Sequence, residues 1–156
     1  RTFLAPAIAG DMVGCIGVSE VAAGSDVAGM KTTAKQDGDD YVINGSKMWI
    51  TNSPKADFIC LLANTSDDKP HKNKSLIVVP MNTPGISFSP HLNKLGMRSS
   101  ETAQIFFDDV RVPQRYRIGA EGTGFMMQML QFQEERMWGA ANVIKALELC
   151  INKTIE

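Results

Sequence analysis

Short stretches of strand-forming residues, each ended by a turn signal, constrain the fold of this chain more than any other feature. About seven such stretches precede residue 116, at a spacing of roughly 8–12 residues. Residues 58–64 and 76–80 are continuous apolar runs, and Asp37-Gly38-Asp39-Asp40 is a hairpin signal between residues 30–36 and 41–43. This pattern predicts a mainly β fold, an antiparallel sandwich or barrel-like domain.

One stretch has features of a ligand-binding strand. After an Asn44-Gly45 turn signal, polar and apolar residues alternate in the run Lys47-Met48-Trp49-Ile50-Thr51-Asn52. In a strand this alternation places Met48, Ile50 and Asn52 on one face and Lys47, Trp49 and Thr51 on the other. An indole two residues from a hydroxyl suits a flat heteroaromatic ligand, because the ring can pack while the hydroxyl binds a polar edge. The alternative is a core Trp and a Thr on the pleat, since both are ordinary strand residues.

A second stretch, upstream, is rich in small residues. It reads Val18-Ser19-Glu20-Val21-Ala22-Ala23-Gly24-Ser25-Asp26 and follows a strand predicted for residues 12–19. Small residues allow a ligand to approach the backbone and expose N–H groups to an anion, so a diphosphate would fit there. The alternative is an ordinary turn at Gly24-Ser25-Asp26.

The composition changes at Gly119, where a helix is predicted to start. Apolar residues then recur at helical spacing: Phe125, Met129, Phe132, Gly139, Val143, Leu147 and Cys150, with Met126, Leu130, Met137, Ile144 and Ile151 widening the stripe. A helix this apolar needs packing partners on several sides. We therefore divide the chain into a β-domain, residues 1–116, and a helical part, residues 117–156, that resembles the first helix of a truncated bundle.

Charge and cysteine content exclude several classes of function. With 16 Lys and Arg against 17 Asp and Glu, the net charge of -1 gives no electrostatic reason to expect nucleic acid. No apolar run is long enough for a membrane span. Cys15, Cys60 and Cys150 are far apart and are predicted to be buried thiols of a reducing compartment. His71 and His91 have no partner at ligand or triad spacing, so we predict neither a metal site nor a nucleophile.

The small-residue stretch at residues 18–26 and the strand motif at residues 47–52 belong to a longer ordered pattern. They are followed by Lys94-Leu95-Gly96-Met97-Arg98-Ser99-Ser100, then Phe107-Asp108-Asp109-Val110-Arg111-Val112-Pro113, then Gly119 to Phe125 with glycines at 119, 122 and 124. In this order and spacing the chain resembles the acyl-CoA dehydrogenase family, flavoenzymes that desaturate acyl-CoA thioesters. The resemblance implies the family's middle β-domain and the start of its C-terminal helical domain. Because the family places a helical domain before this material, the chain is expected to be a fragment.

The resemblance implies FAD as the cofactor. Its flavin-binding positions fall on Ile16, Gly17, Val18, Ser19, Gly24, Ser25, Trp49, Ile50 and Thr51. Ser19 would bind the pyrimidine side of the ring, Gly24 and Ser25 would lie near the diphosphate, Trp49 would pack beside the ring, and Thr51 would lie near N5 and O4. The common family form has Thr-Glu-Pro where this chain has Ser19-Glu20-Val21, which keeps the hydroxyl but makes the turn less rigid.

The substrate positions implied by the resemblance lie mostly on the helix, in Phe132-Gln133-Glu134-Glu135-Arg136. Gln133 stands where an acidic residue is usual, Arg136 would help to hold CoA, and Ser25 would lie near CoA as well. The alternative for Arg136 is an ion pair within a helical bundle. A family glutamate removes the α-proton of the thioester while a hydride leaves for the flavin. Some members take that base from the position of Glu135, and most take it from a later loop that this chain lacks.

The same resemblance implies partners for the intact enzyme. These are an acyl-CoA substrate, an electron-transferring flavoprotein, and further copies of the subunit in a homo-tetramer or homo-dimer. An acyl-CoA oxidase is the close enzymatic alternative, and a truncated, non-catalytic module that binds flavin or CoA is the alternative from another class. The family occurs in both the mitochondrial matrix and the bacterial cytoplasm, so both compartments stay open.

Overall fold

The computed structural model describes all residues 1–156. They form two compact units, Arg1–Phe125 and Met126–Glu156, and each is described by itself. The first unit contains a short helix, α1 (Leu4–Ala9), and eight strands. The second consists of the helix α2 (Gly124–Ile155) from residue 126 onward. The strands are β1 (Gly14–Gly17), β2 (Thr33–Asp37), β3 (Asp40–Thr51), β4 (Phe58–Asn64), β5 (Lys74–Pro80), β6 (Ile86–Phe88), β7 (Thr102–Pro113) and β8 (Arg117–Ile118).

The strands form one open sheet in the order β6-β7-β3-β2-β4-β5-β8, with β1 also paired to β4. Most pairs are antiparallel, but β1 and β2 both run parallel to β4. The predicted fold class, mainly β with a long helix after it, is confirmed. The sheet differs in detail because it has eight strands instead of about seven and is mixed instead of wholly antiparallel.

The hydrophobic core is built from alternating residues of β3, β4, β5 and β7. Ile59 and Leu61 of β4 and Ile77 and Val79 of β5 are fully buried, as expected for adjacent apolar strands. Tyr41 of β3 is also fully buried, and its hydroxyl oxygen accepts a hydrogen bond of 2.7 Å from Nη1 of Arg117. The one polar atom of this large ring is therefore satisfied inside the core.

The predicted Asn44-Gly45 turn is wrong, because β3 continues through both residues. Ile43 lies opposite Val110 while Gly45 lies opposite Phe107, so the extra residue belongs to β7 and forms a bulge there. At this bulge Asp109 has a φ of 49°, its N–H donates to Oδ1 of Asn44 at 2.9 Å, and Nδ2 of Asn44 donates to Oδ1 of Asp109 at 3.0 Å. The Asn44 side chain therefore stabilises a bulge in the neighbouring strand β7 instead of forming a turn.

A second bulge lies on β3 itself. Lys47 is opposite Ile105 and Ile50 is opposite Ala103, so three steps along β3 match two along β7. Lys47 and Ile50 are consequently both buried, and Trp49 has a φ of 60° and is 50% exposed. The predicted faces were therefore wrong for Lys47, since the bulge interrupts the simple alternation of the run.

The helix α2 begins later than predicted, at Gly124 instead of Gly119. Before it, the short strand β8 pairs with β5 through Ile77 and Arg117. Because of this pairing, the first compact unit extends beyond residue 116, where the sequence suggested the boundary between the two parts of the chain. The hairpin of β2 and β3 is as predicted, with Asp37 opposite Asp40.

The three cysteines have different environments. Cys15 is buried and Cys60 partly buried, but Cys150 on α2 is exposed because nothing else in the second unit covers it. Burial, with a smaller effect of Cys60, raises the pKa of Cys15 to about 12. A thiol with this pKa stays protonated at neutral pH and is a poor nucleophile.

No helix of this chain combines the length and apolar character that crossing a bilayer requires.

Gly85 is predicted to be intolerant of any side chain. Its φ is 92°, and a Cβ atom there would lie 2.2 Å from the carbonyl oxygen of Asp108, a backbone atom that cannot rotate away. We expect Gly85→Ala to lower the free energy of unfolding by about 2–4 kcal/mol in urea denaturation. Gly38→Ala is the control, because Gly38 also has positive φ but an open surrounding, and should cost about 1 kcal/mol. Equal losses would show that the contact with Asp108 contributes nothing.

Candidate functional site

A buried carboxylate, Glu20, lies at the start of the small-residue loop. Its Oε1 accepts hydrogen bonds from the N–H of Thr32 at 3.0 Å and from Oγ1 of Thr32 at 2.6 Å, and its Oε2 accepts from the N–H of Lys31 at 2.7 Å. Glu20 itself is only 7% exposed. The side chain therefore connects the beginning of the loop to the residues just before β2.

The charge of Glu20 is balanced by Lys47 of β3. Nζ of Lys47 is fully buried and lies 3.0 Å from Oε1 of Glu20. The same ammonium group donates a hydrogen bond of 3.0 Å to the carbonyl oxygen of Val18. We call these two side chains the Glu20–Lys47 pair.

Both members of the Glu20–Lys47 pair have shifted pKa values. Burial alone would raise the pKa of Glu20, but the charge of Lys47 and the hydrogen bonds from Thr32 and the two backbone N–H groups outweigh it, so the pKa is lowered from 4.5. Burial lowers the pKa of Lys47 to about 8, although the charge of Glu20 opposes the change. At neutral pH both groups are ionised, so the Glu20–Lys47 pair is a buried ion pair.

The loop of residues 19–26 projects from this pair. Backbone hydrogen bonds between Glu20 and Ala23, at 3.0 and 3.1 Å, close a tight turn within it. Gly24 and Ser25, beyond the turn, are exposed, and their N–H groups make no backbone hydrogen bond. A Cβ atom at Gly24 would meet nothing within 4 Å. These N–H groups are therefore accessible to an anion.

The loop and the bulge of β3 are in direct contact. The N–H of Met48 donates a hydrogen bond of 2.9 Å to the carbonyl oxygen of Ser19. This bond places the loop beside the residue that precedes Trp49, and the bulge leaves Trp49 and Thr51 both exposed. The structure thus brings the two predicted motifs together.

The nine residues predicted to bind flavin fall into three groups by their burial. The side chains of Val18 and Ile50 are buried, as is Gly17, so these positions could offer only backbone groups to a ligand. Ser19 is partly exposed. The remaining side chains or open backbone positions face solvent, and they are Ile16, Gly24, Ser25, Trp49 and Thr51.

This arrangement fits the flavin that the sequence implies. The cofactor has a flat ring system, for which the half-exposed indole of Trp49 offers a packing surface, and a diphosphate, for which the N–H groups of Gly24 and Ser25 are free. The hydroxyls of Ser19 and Thr51 make no hydrogen bond within the chain, so both can bind polar ring atoms. The residues present therefore fit the ring system and the diphosphate of FAD.

Ser25, one of the predicted substrate residues, lies in the first unit, and the others lie in the second. Gln133, Glu135 and Arg136 are all exposed on α2. Glu135 accepts a hydrogen bond from Nε2 of Gln131, and the guanidinium carbon of Arg136 lies 5.4 Å from the centre of the Phe132 ring. Arg136 forms no ion pair in this chain, so its charge is free for an anionic ligand.

Sequence reasoning did not identify the role of Lys47 and Thr32. Lys47 was assigned to the face of Trp49, and Thr32 to an ordinary strand. A signal was available, because a lysine within an otherwise apolar run must be paired if it is buried, and Glu20 was a conspicuous carboxylate in the neighbouring motif. Lys47 lies on the buried face of β3 with Tyr41 and Ile43, and the bulge after it changes the alternation so that Trp49 is not on that face.

Comparison with known proteins gives a consistent set of relatives. Residues 15–110 match the family model described as acyl-CoA dehydrogenase, middle domain. The chain is 40% identical over 129 residues to the mitochondrial short-chain specific acyl-CoA dehydrogenase of Rattus norvegicus, covering 83% of this chain and 31% of the relative. It is 43% identical over 127 residues to cyclohexane-1-carbonyl-CoA dehydrogenase of Syntrophus aciditrophicus, covering 81% and 33%.

A solved structure agrees in fold as well as in sequence. A probable acyl-CoA dehydrogenase from Mycobacterium abscessus superposes with a TM-score of 0.84 and 44% identity, covering 86% of this chain and 36% of that one. The chain spans about a third of the length of the proteins it matches.

The lowered pKa of Glu20 predicts a specific pH dependence of stability. Since the folded pKa lies below the ordinary value of 4.5, the stabilisation by this carboxylate is complete above pH 4.5 and is lost as the pH falls through the folded pKa. The difference in free energy of unfolding between the wild type and Glu20→Gln should therefore shrink as the pH falls below 4.5, and it should change again near pH 8, where Lys47 loses its charge. Urea denaturation at a series of pH values measures this difference.

Glu101→Gln provides the control for this pH dependence. Glu101 also has a lowered pKa, through a hydrogen bond from Lys55 and the proximity of His91, but it lies at the surface. Solvent and salt screen surface pairs, so this variant should change stability little at any pH. A pH-independent effect of Glu20→Gln would contradict the argument.

Proposed function

The chain belongs to the acyl-CoA dehydrogenase family, and from that premise we propose that it is part of an FAD-dependent enzyme that introduces an α,β double bond into an acyl-CoA thioester. Within it, the first compact unit supplies one side of the flavin site. The assignment of residues 1–116 to the family's middle domain, and of residues 117–156 to the start of its helical domain, is part of this proposal.

One observation carries the proposal for the site. The hydrogen bond between Met48 and Ser19 joins an exposed loop with free N–H groups to a bulged strand with an exposed indole and hydroxyl. The N–H groups and the indole lie on sequence positions that are 24 or more residues apart, and only the fold brings them together. They match two chemically different parts of FAD, the ring and the diphosphate.

In this proposal each part of the chain has a defined task toward the cofactor. Trp49 packs against the ring system, Ser19 and Thr51 hydrogen-bond its polar edges, and the N–H groups of Gly24 and Ser25 bind the diphosphate. The backbone beneath the ring and the diphosphate is formed by the four other predicted positions, which are Ile16, Gly17, Val18 and Ile50. When bound, FAD supplies the acceptor for the hydride that leaves the β-carbon of the substrate.

The substrate and partners follow the same proposal. Ser25, Gln133 and Arg136 contact the CoA part of an acyl-CoA, for which the free charge of Arg136 is suited. Electrons pass to an electron-transferring flavoprotein, and the whole protein is a homo-tetramer or homo-dimer. The compartment is the mitochondrial matrix or the bacterial cytoplasm, in agreement with the mitochondrial and bacterial origins of the relatives.

Glu135 is a candidate for the base that removes the α-proton. It is exposed on α2 and oriented by Gln131, so its carboxylate is available to a ligand. Glu135→Gln tests the role, with its neighbour Glu134→Gln as the control. Loss of flavin bleaching by acyl-CoA in the first variant alone, with CoA binding intact, would assign the proton transfer to Glu135. Unchanged bleaching would place the base outside residues 1–156.

The two tryptophans provide a direct test of the flavin site. We expect Trp49→Ala to weaken FAD binding about tenfold, because an aromatic pair contributes about 0.5–1.5 kcal/mol. Trp138→Ala should leave it unchanged, since Trp138 is an exposed tryptophan of the second unit with no assigned role. Visible absorption of retained flavin, after excess FAD is removed from the whole protein, measures the affinity.

Fluorescence of the same two variants gives an independent readout. Within residues 1–156, Trp138→Ala leaves Trp49 as the only indole, and the part of the emission that FAD quenches should be retained in this variant because the flavin ring lies against Trp49. In Trp49→Ala quenching should be weaker. Equal flavin retention and equal quenching in both variants would contradict the proposed site, and a wild-type protein that binds no FAD would contradict the proposed function.

A further inference from the structure

The residues that would contact FAD are located on two segments whose relative position must be fixed by something else. We propose that Glu20 and Lys47 are positioning residues for the flavin, which hold the diphosphate-binding loop in register with the strand that carries Trp49. This inference rests on the proposed function. It assigns a task to two charged residues that make no contact with the ligand themselves.

Glu20 holds together the two ends of residues 20–32, the segment that contains Gly24 and Ser25. Its backbone lies at the start of residues 20–32, and its carboxylate accepts three hydrogen bonds from Lys31 and Thr32 at the end. Fixing the two ends of a flexible segment removes much of its conformational freedom before any ligand binds. Gly24 and Ser25 lie between these fixed ends, so their N–H groups are held in place without being blocked.

Lys47 connects the loop of residues 19–26 to β3, the strand that carries Trp49. One ammonium group donates to the carbonyl oxygen of Val18 and to the carboxylate of Glu20, both at 3.0 Å. Lys47 is two residues before Trp49, and the bulge of β3 lies between them. Lys47 lies on the buried face of β3 with Tyr41 and Ile43, and the bulge that follows it buries Ile50 and leaves the Trp49 indole exposed, so the loop anchor and the ring-packing side chain flank one backbone irregularity.

The energetics of the buried ion pair support the same role. Two apolar residues could fill the same buried space, and such a replacement of a buried ion pair is often neutral or stabilising. Apolar side chains would not, however, select one position of the Val18 carbonyl or of the Lys31 and Thr32 N–H groups. The hydrogen bonds of the Glu20–Lys47 pair are directional, which gives the pair a role in geometry beyond stability.

The test separates this positioning role from a structural one. The double variant Lys47→Met, Glu20→Gln removes both charges together, so that no unpaired charge stays buried, and it should melt close to the wild type. We expect its FAD affinity to fall about tenfold or more, because small displacements of positioning groups are costly. The resolved fine structure of the bound flavin's visible band should be lost at the same time.

A milder variant and a control complete the design. Thr32→Val removes the 2.6 Å bond to Glu20 with little change of shape, and should weaken FAD binding by about threefold. Lys74→Met removes the other fully buried lysine, whose ammonium binds Pro70 and Asn73, and should leave FAD affinity unchanged. All measurements use the whole protein, with thermal melting as the readout of folding.

The outcomes are distinguishable. A wild type without FAD affinity would contradict the proposed function, and with it this inference. If the wild type binds FAD and the Thr32→Val variant, or a folded double variant, binds it equally well, this inference is overturned. The proposed function is not affected by that result. Equal weakening by Lys74→Met would also overturn the inference, since any buried lysine would then have the same effect. If the double variant does not fold, Thr32→Val decides the question.

Discussion

A buried ion pair between Glu20 and Lys47 is the interaction on which the geometry of the candidate site depends. A carboxylate and an ammonium group are both costly to remove from water, and each is tolerated here because the other, with four further hydrogen bonds, satisfies it. The consequence is local order. The loop of residues 19–26 is linked through Glu20 and Lys47 to β3 and to the residues just before β2.

The sheet provides the frame in which this pair can form. β3 is the longest strand together with β7, and the two are paired along most of their length with a bulge on each. One bulge is stabilised by the reciprocal hydrogen bonds of Asn44 and Asp109, and the other, after Lys47, buries Ile50 and leaves Trp49 exposed. Irregularities of the sheet therefore decide which side chains lie in the core and which face solvent.

The sequence predicted those features that depend on local chemistry. The apolar runs of β4 and β5 and the Asp37 to Asp40 hairpin were correctly identified, because burial and turn geometry leave a signal within a few residues. The bulges were missed, since a bulge is a property of two strands and no residue of β3 alone shows where β7 has an extra one. For the same reason the pairing of Lys47 with Glu20 was invisible, although both residues were noted within their motifs.

The parallel pairing of β1 with β4 has a consequence for how the site is assembled in time. Gly14 lies opposite Phe58, so β1 has no sheet partner until a much later part of the chain is available. Contacts between residues so distant in sequence form slowly, because a long loop must close first. A ribosome delivers residues 18–25 well before Lys47 and β4, and the loop stays without its anchors during that interval. The proposed flavin site therefore requires completion of β3 and β4, because the loop has its anchors only when both strands are in place.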